Sequence, residues 1–327
     1  MALEVIFHQK EKISSENLII LIHGLGASET TWVHNNVSWI DLFLTDPSID
    51  SLDVAEVRYD TSHLANGLLA LMGVKKIKIS PFKKITIGKG PHTNLEILAR
   101  ELKREIDSSR IKKYRNIVLM GHSMGGLIAI RYILEEFENN NQPQNIKGLI
   151  SLATPYNGSS TALFSELAKV INRHAQIPSL VPNSNFLDEI IRLWQKHLDR
   201  MDISFKFFFG TNDNIVPENS AIPHIVTSKW TGGVPLPGDH SGILKVEDHN
   251  STNYIHVSEA VKEILMKDIK VKKKNIDEKR KLVIAKLIAR LKANGLEKEQ
   301  AEYILNQEYN FEYLLPKDDK RLIVVVG

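Results

Sequence analysis

Ile117-Val118-Leu119-Met120-Gly121-His122-Ser123-Met124-Gly125-Gly126 is followed at once by Leu127, Ile128, Ile130, Ile133 and Leu134. The first four residues, β-branched and aliphatic, predict a strand buried on both faces. The spacing of the last five predicts a helix with an apolar face. Between them stands Gly-x-Ser-x-Gly, so strand, sharp turn and helix follow one another in the order that a nucleophile elbow requires. Such a turn forces Ser123 into a strained backbone conformation. Gly121 and Gly125 lack the Cβ atoms that would collide with neighbouring backbone there. The hydroxyl is pushed out above the sheet, over a helix N-terminus whose free N–H groups and dipole favour negative charge. A plainer reading keeps the turn and makes Ser123 a helix cap.

Outward from this segment, the continuous apolar run at Asn17–Ile22 predicts a buried strand, and further strands are expected at Asp53–Tyr59, Ile146–Leu152 and Phe205–Phe209, with a short one at Ile222–Thr227. Helices are expected over Trp32–Leu44, Asn94–Ile106 and Ser251–Met266. Strands alternating with helices imply an α/β fold built on a doubly wound, mostly parallel sheet. Two stretches interrupt the alternation and are expected to form cap or lid insertions, about 61–92 and 156–200. The first holds the apolar Leu64–Val74 run followed by Lys75, Lys76 and Lys78; it reads as a lid or interfacial anchor, or as a short buried helix. The second holds the amphipathic Phe186–His197 piece, which reads as an acyl-groove wall or as a structural helix.

The main domain is thus expected over residues 1–268. Residues 269–327 are expected to be a charged linker, with Lys272-Lys273-Lys274 as a solvated run, and a small helical appendage. Its helices are predicted over Lys281–Asn294, with Gly295 as C-cap, and Glu297–Glu308. The final Leu322-Ile323-Val324-Val325-Val326-Gly327 is strand-like. It either pairs within the chain or opens a further domain, where a phosphate-binding loop would follow.

Composition narrows the chemistry. The 327 residues include 43% hydrophobic and 25% charged side chains, with a formal net charge of +3. That balance supports a packed core and offers no basic, aromatic-interleaved surface for nucleic acid. The absence of cysteine removes disulfides, thiol catalysis and Cys-ligated zinc. Neither a metal nor a cofactor is implied. Met1–His8 lacks a basic leader, and no apolar run reaches bilayer-spanning length, so a cytoplasmic protein is expected.

Acyl transfer by a serine needs a base, a carboxylate to orient the base, and donors for an oxyanion. Asp213 follows the Phe-rich strand, at the end where a parallel sheet places its site. Asp188 and Asp202 precede that strand and are worse placed. His240 lies in the Gly-rich loop Gly238-Asp239-His240-Ser241-Gly242, and His249 is its rival. His23-Gly24-Leu25-Gly26, after a buried strand, reads as an oxyanion loop. The backbone N–H groups of Leu25 and Met124 are the expected donors, and His23 itself reads as structural.

His23-Gly24-Leu25-Gly26, the elbow, Ala153-Thr154-Pro155-Tyr156-Asn157-Gly158-Ser159, Asp213-Asn214-Ile215-Val216-Pro217 and Asp239-His240-Ser241-Gly242-Ile243 stand in an order that resembles the lipase/esterase branch of the α/β-hydrolases. Pro182–Leu187 adds to the match. Within that branch the chain is similar to the SERAC-type and GPI-inositol-deacylase-type serine esterases, over roughly residues 15–265. The resemblance implies Ser123 as nucleophile, Asp213 as acid and His240 as base, in the α/β-hydrolase fold. It also has His where Tyr156 stands, so a role tied to that imidazole does not carry over. The leading expectation is a serine esterase or lipase acting on carboxylic esters, including phospholipids, with peripheral contact to membranes. Two alternatives stay open: a hydrolase effector switched by a C-terminal nucleotide-triphosphatase module outside this chain, and a binding scaffold that retains the fold without catalysis.

Overall fold

A computed structural model describes residues 3–8, 15–24, 31–49, 51–59, 95–139, 143, 145–157, 185–225 and 232–267. The lid expected over 61–92 and the appendage expected over 269–327 lie outside the described residues, which belong almost entirely to one compact unit, Met1–Met266.

The strands are β1 (Glu4–His8), β2 (Asn17–Ile22), β3 (Val33–His34), β4 (Val37–Ser38), β5 (Leu52–Arg58), β6 (Asn116–His122), β7 (Ile146–Leu152), β8 (Ser204–Gly210) and β9 (Val234–Leu236). Seven of them form one sheet in the order β1-β5-β2-β6-β7-β8-β9. β1 runs antiparallel to β5, and the remaining neighbours are parallel. The order reverses direction around β2 and β6. Helices α1 (Trp39–Thr45), α2 (Leu95–Ile106), α3 (Met124–Glu138) and α4 (Asn185–His197) connect the strands, and α5 covers 252–267. This is the mostly parallel, helix-flanked sheet expected of the α/β fold.

The central strands show why the sheet forms. Leu18, Ile19, Ile20, Leu21 and Ile22 of β2 and Ile117, Val118, Leu119 and Met120 of β6 are wholly buried. Runs apolar on both faces can be satisfied only when helices cover both sides of the strand. α2, α3 and α4 pack side by side. α1 and α5 make a separate cluster through the rings of Trp39, Phe43 and Tyr254, with centroids 5.5–5.8 Å apart. Gly148 of β7 admits Ile264 of α5, whose side chain would lie 2.6 Å from a Cβ at that position.

Two expectations change. The helix expected over Trp32–Leu44 begins only at Trp39. Before it, β3 and β4 form a hairpin around Asn35 and Asn36, with φ 48° and 65°. Asparagine tolerates the left-handed conformation that a two-residue hairpin turn requires. Ser38 then starts the helix by accepting from the Ile40 N–H at 3.1 Å. The strand expected at Ile222–Thr227 is absent from residues 222–225, and the outer place beside β8 is filled by β9. That strand contains Pro235, which the edge of a sheet accommodates because one side of the strand needs no ladder donor. The amphipathic Phe186–His197 piece is α4. It packs on α3 and provides the crossover between β7 and β8, and its buried Ile190, Leu193 and Trp194 face the sheet layer. A stripe at helical spacing fits a cap or a crossover equally, and only the neighbours decide.

Trp39 is wholly buried and its indole N–H donates to the Leu244 carbonyl at 2.7 Å. Trp39→Phe removes ring volume and leaves that carbonyl without its donor. A loss of about 2–4 kcal/mol in denaturant unfolding is expected.

Candidate active site

The parallel strands end on the same sheet edge, and five of them each deliver one piece there. β2 leads into His23 and Gly24, β6 into Ser123, β7 into Ala153, β8 into the Asp213 loop and β9 into the His240 loop. Asp188 is exposed in the first turn of α4, and Asp202 is exposed and just precedes β8, at the end of that strand opposite Asp213. His249 bonds to the Leu42 carbonyl and to Thr45 Oγ1, at 3.0 and 3.3 Å. It secures α1 and does not reach Ser123.

Ser123 has φ 53° and ψ −123° and immediately precedes α3, yet its side chain makes no capping bond to that helix. Its N–H donates to the Leu152 carbonyl at 2.8 Å. The glycines around it permit close approach. A Cβ on Gly125 would overlap the Ile22 carbonyl, one on Gly121 would overlap Gly126, and one on Gly126 would overlap Thr154. Gly24 lies against the elbow itself, where a Cβ would stand 2.8 Å from Ser123 Cβ.

Ser123 Oγ and His240 Nε2 are 3.0 Å apart, and His240 Nδ1 and Asp213 Oδ2 are 2.8 Å apart. All three side chains are buried. The second carboxylate oxygen of Asp213 accepts the N–H groups of Ile215 and Val216, each at 2.8 Å. Burial works to raise the Asp213 carboxyl. The bond from His240 and the two backbone donors outweigh it and hold the group below the usual carboxylate value. An ionised carboxylate only accepts, so Nδ1 of His240 carries the ring proton and Nε2 is free to accept from the Ser123 hydroxyl. The arrangement can therefore draw a proton from Ser123 and stabilise the resulting imidazolium. Met124 opens α3, so its N–H lies among the donors that a helix leaves without internal partners. Leu25 lies outside the described residues.

Two more histidines crowd this edge. His23 stacks on Tyr59 with centroids 4.1 Å apart, and the Tyr59 hydroxyl donates to the His23 carbonyl. Burial lowers the His23 pKa. His122 is lowered to about 3 by burial and then by the neighbouring His240 ring. It lies 2.8 Å, through Nε2, from the His240 carbonyl. Sequence reasoning assigned His122 no role, since nothing in Gly-His-Ser marks that side chain for a particular partner. Tyr156, where the resemblance has His, is wholly buried. Its hydroxyl shares a hydrogen bond with Ser151, and its ring meets Trp194 and Phe207. It builds the core beneath α4. Among the described residues no group of three or more His, Cys, Asp or Glu comes together to hold a metal ion, and no helix is long and apolar enough to cross a membrane.

A family model described as lecithin:cholesterol acyltransferase matches residues 94–173, which include the elbow. Among solved structures, the chain is similar to a monoacylglycerol lipase of Paleococcus ferrophilus, with 18% identity, coverage of 82% of this chain and 99% of that one, and a TM-score of 0.48. It is similar to the Bacillus licheniformis lipase BlEst2 in mature form, with 13% identity, coverage of 74% and 92%, and a TM-score of 0.47. It is also similar to the phospholipase PlaB of Legionella pneumophila, with 15% identity, coverage of 64% and 45%, and a TM-score of 0.44. No curated protein sequence matches the chain.

The state of His122 makes stability depend on pH. Its folded value of about 3 lies below the ordinary 6.5, so between the two the unfolded chain binds a proton that the folded chain refuses. This contribution is complete above the ordinary value and is lost as pH falls toward the folded one. The slope expected from this residue is up to about 1.4 kcal/mol per pH unit. Denaturant unfolding over a pH series measures it, and His122→Gln is expected to lose that share of the acid slope. The Asp213 carboxylate adds its own loss only lower, once pH falls below its ordinary 3.8.

Proposed function

We propose that this chain is a serine hydrolase of carboxylic esters, an esterase or lipase working through an acyl-enzyme on Ser123. The observation that carries the reading is the continuous relay from Ser123 Oγ to His240 to Asp213, at 3.0 and 2.8 Å. As Oγ attacks the acyl carbonyl, its proton passes to His240 Nε2, and the ionised Asp213 stabilises the imidazolium. The N–H groups of Met124 and Leu25 receive the oxyanion. Collapse of the tetrahedral intermediate breaks the ester bond, and the leaving alkoxide takes the proton from His240. Water then attacks the acyl-enzyme with His240 again as base, which releases the carboxylic acid and restores the Ser123 hydroxyl.

A lipid ester is the favoured substrate class. The matched family model is named for lecithin:cholesterol acyl transfer and spans the elbow. The motif resemblance to SERAC-type and GPI-inositol-deacylase-type esterases points the same way. Transfer of the acyl group to an alcohol would use the same residues, with the acceptor replacing water. The reading extends to a cytoplasmic enzyme that touches lipid through Leu64–Val74 and the lysines after it, and to control by a module beyond residue 327. The residues that carry those two extensions lie outside the described ones.

A fluorophosphonate probe and a series of p-nitrophenyl esters test the proposal. The probe is expected to label the wild-type chain at Ser123 and to leave Ser123→Ala unlabelled. His240→Ala and Asp213→Asn are expected to lower kcat by about 10³–10⁴. A folded wild-type chain that neither labels nor hydrolyses any ester would reject the reading.

A further inference from the structure

The loop that carries His240 is tied down on both flanks. Asn253 of α5 donates to the Pro237 and Ile243 carbonyls, at 3.0 and 3.1 Å. The Asn212 N–H donates to the Gly238 carbonyl at 3.0 Å. Asp239 accepts the N–H groups of Ser241 and Gly242, at 3.2 and 2.6 Å. These bonds shape the loop before and after residue 240. The carbonyl of His240 itself is met by a side chain from a different element, His122 Nε2 at 2.8 Å.

A carbonyl oxygen only accepts, so Nε2 of His122 carries a proton, and burial disfavours a second proton on Nδ1, which keeps the ring neutral. The ring is buried and stands beside the base, tilted by 45° to it with centroids 4.9 Å apart. Its other nitrogen borders the β2 loop, where a Cβ on Gly24 would stand 3.3 Å from Nδ1. Asp213 and His23 are the remaining charged or titratable groups that act on it. His122 is also the last residue of β6 and the chain neighbour of Ser123. One rigid strand end therefore sets the nucleophile through the backbone and reaches the base loop through a side chain.

We propose that His122 is a positioning residue: its Nε2–H fixes the main chain of His240 so that one imidazole meets Ser123 and Asp213 together. The inference rests on the esterase reading of Ser123 and His240 and adds to it the device that keeps them in register. The relay needs two distances satisfied at once by a ring on a loop, and a displacement of about 1 Å can lower a rate by about a hundredfold. Neutrality matters as well. A charged ring at this place would repel the imidazolium that forms on His240 during turnover.

Two variants separate positioning from packing. His122→Phe keeps a planar ring and drops the donor, whereas His122→Gln keeps a donor at the place of Nε2. His122→Phe is expected to lower kcat on a p-nitrophenyl ester by about tenfold to a hundredfold, with KM within about twofold. It is expected to slow fluorophosphonate labelling of Ser123 in parallel, and His122→Gln is expected to restore most of both. Labelling of His122→Phe at the wild-type rate would overturn the proposal, as would equal losses in the two variants. Absence of labelling in the wild-type chain would instead remove the esterase reading, so the two failures are told apart. Should His122→Phe not fold, imidazole ¹⁵N spectra of the intact protein decide. A neutral, Nε2-protonated ring across about pH 5 to 8 is expected, and an Nδ1-protonated ring or a titration within that range overturns the proposal.

Discussion

The positive φ of Ser123 is the constraint from which the site is built. A non-glycine residue held in a sparsely populated backbone region costs about 1–3 kcal/mol, and persists only when its surroundings over-determine it. Here they do. β6 is hydrogen-bonded to β2 on one side and β7 on the other, and α3 begins at the very next residue. Gly121, Gly125 and Gly126 let α3 approach the ends of β2, β6 and β7 more closely than side chains would allow. That approach keeps the Ser123 hydroxyl from capping its own helix and turns it toward the base. It also brings Gly24 against the elbow.

Electrostatics divides the labour among the histidines on this edge. His23 and His122 are pushed by burial toward the neutral form, while the bonds from His240 and two backbone donors hold Asp213 in its charged form. The carboxylate is thus aimed at one imidazole only. A fixed negative charge beside His240, with uncharged rings around it, suits a group that must accept a proton and give it up again. The same burial that keeps His122 neutral links the stability of the fold to pH, so the positioning of the base and acid sensitivity share one physical origin.

Much of the fold was legible in the chain because a parallel sheet writes itself as mostly apolar runs: Leu18–Ile22 and Ile117–Met120 are unbroken, and Ile146–Leu152 is interrupted only by Lys147, Gly148 and Ser151. The Gly-x-Ser-x-Gly turn and the Asp213 loop were legible because a turn or loop after a buried strand is a local pattern. β1 escaped notice, being a short edge strand with polar interruptions. β9 escaped notice because Pro235 and the glycines before it read as loop, and an edge position excuses a proline that a central strand would not. The hairpin at Asn35 and Asn36 was hidden by the apolar residues around it, which fit a helical stripe as well. α4 was legible as an amphipathic helix, with a groove wall and a structural helix both open as its role. Periodicity reports which face is apolar and is silent on what covers it.

Local pattern, read from the sequence alone, determined the strand-turn-helix at Ser123, the alternating α/β order and the candidates Asp213 and His240, because each depends on residues close together in the chain. Tertiary structure decided which histidine stands at Nε2–Oγ distance from Ser123, that His249 serves α1 instead, that Tyr156 is core, and that His122 grips the His240 carbonyl. Those are relations between residues brought together by the fold, separated by 117 positions for Ser123 and His240 and by 118 for His122 and His240.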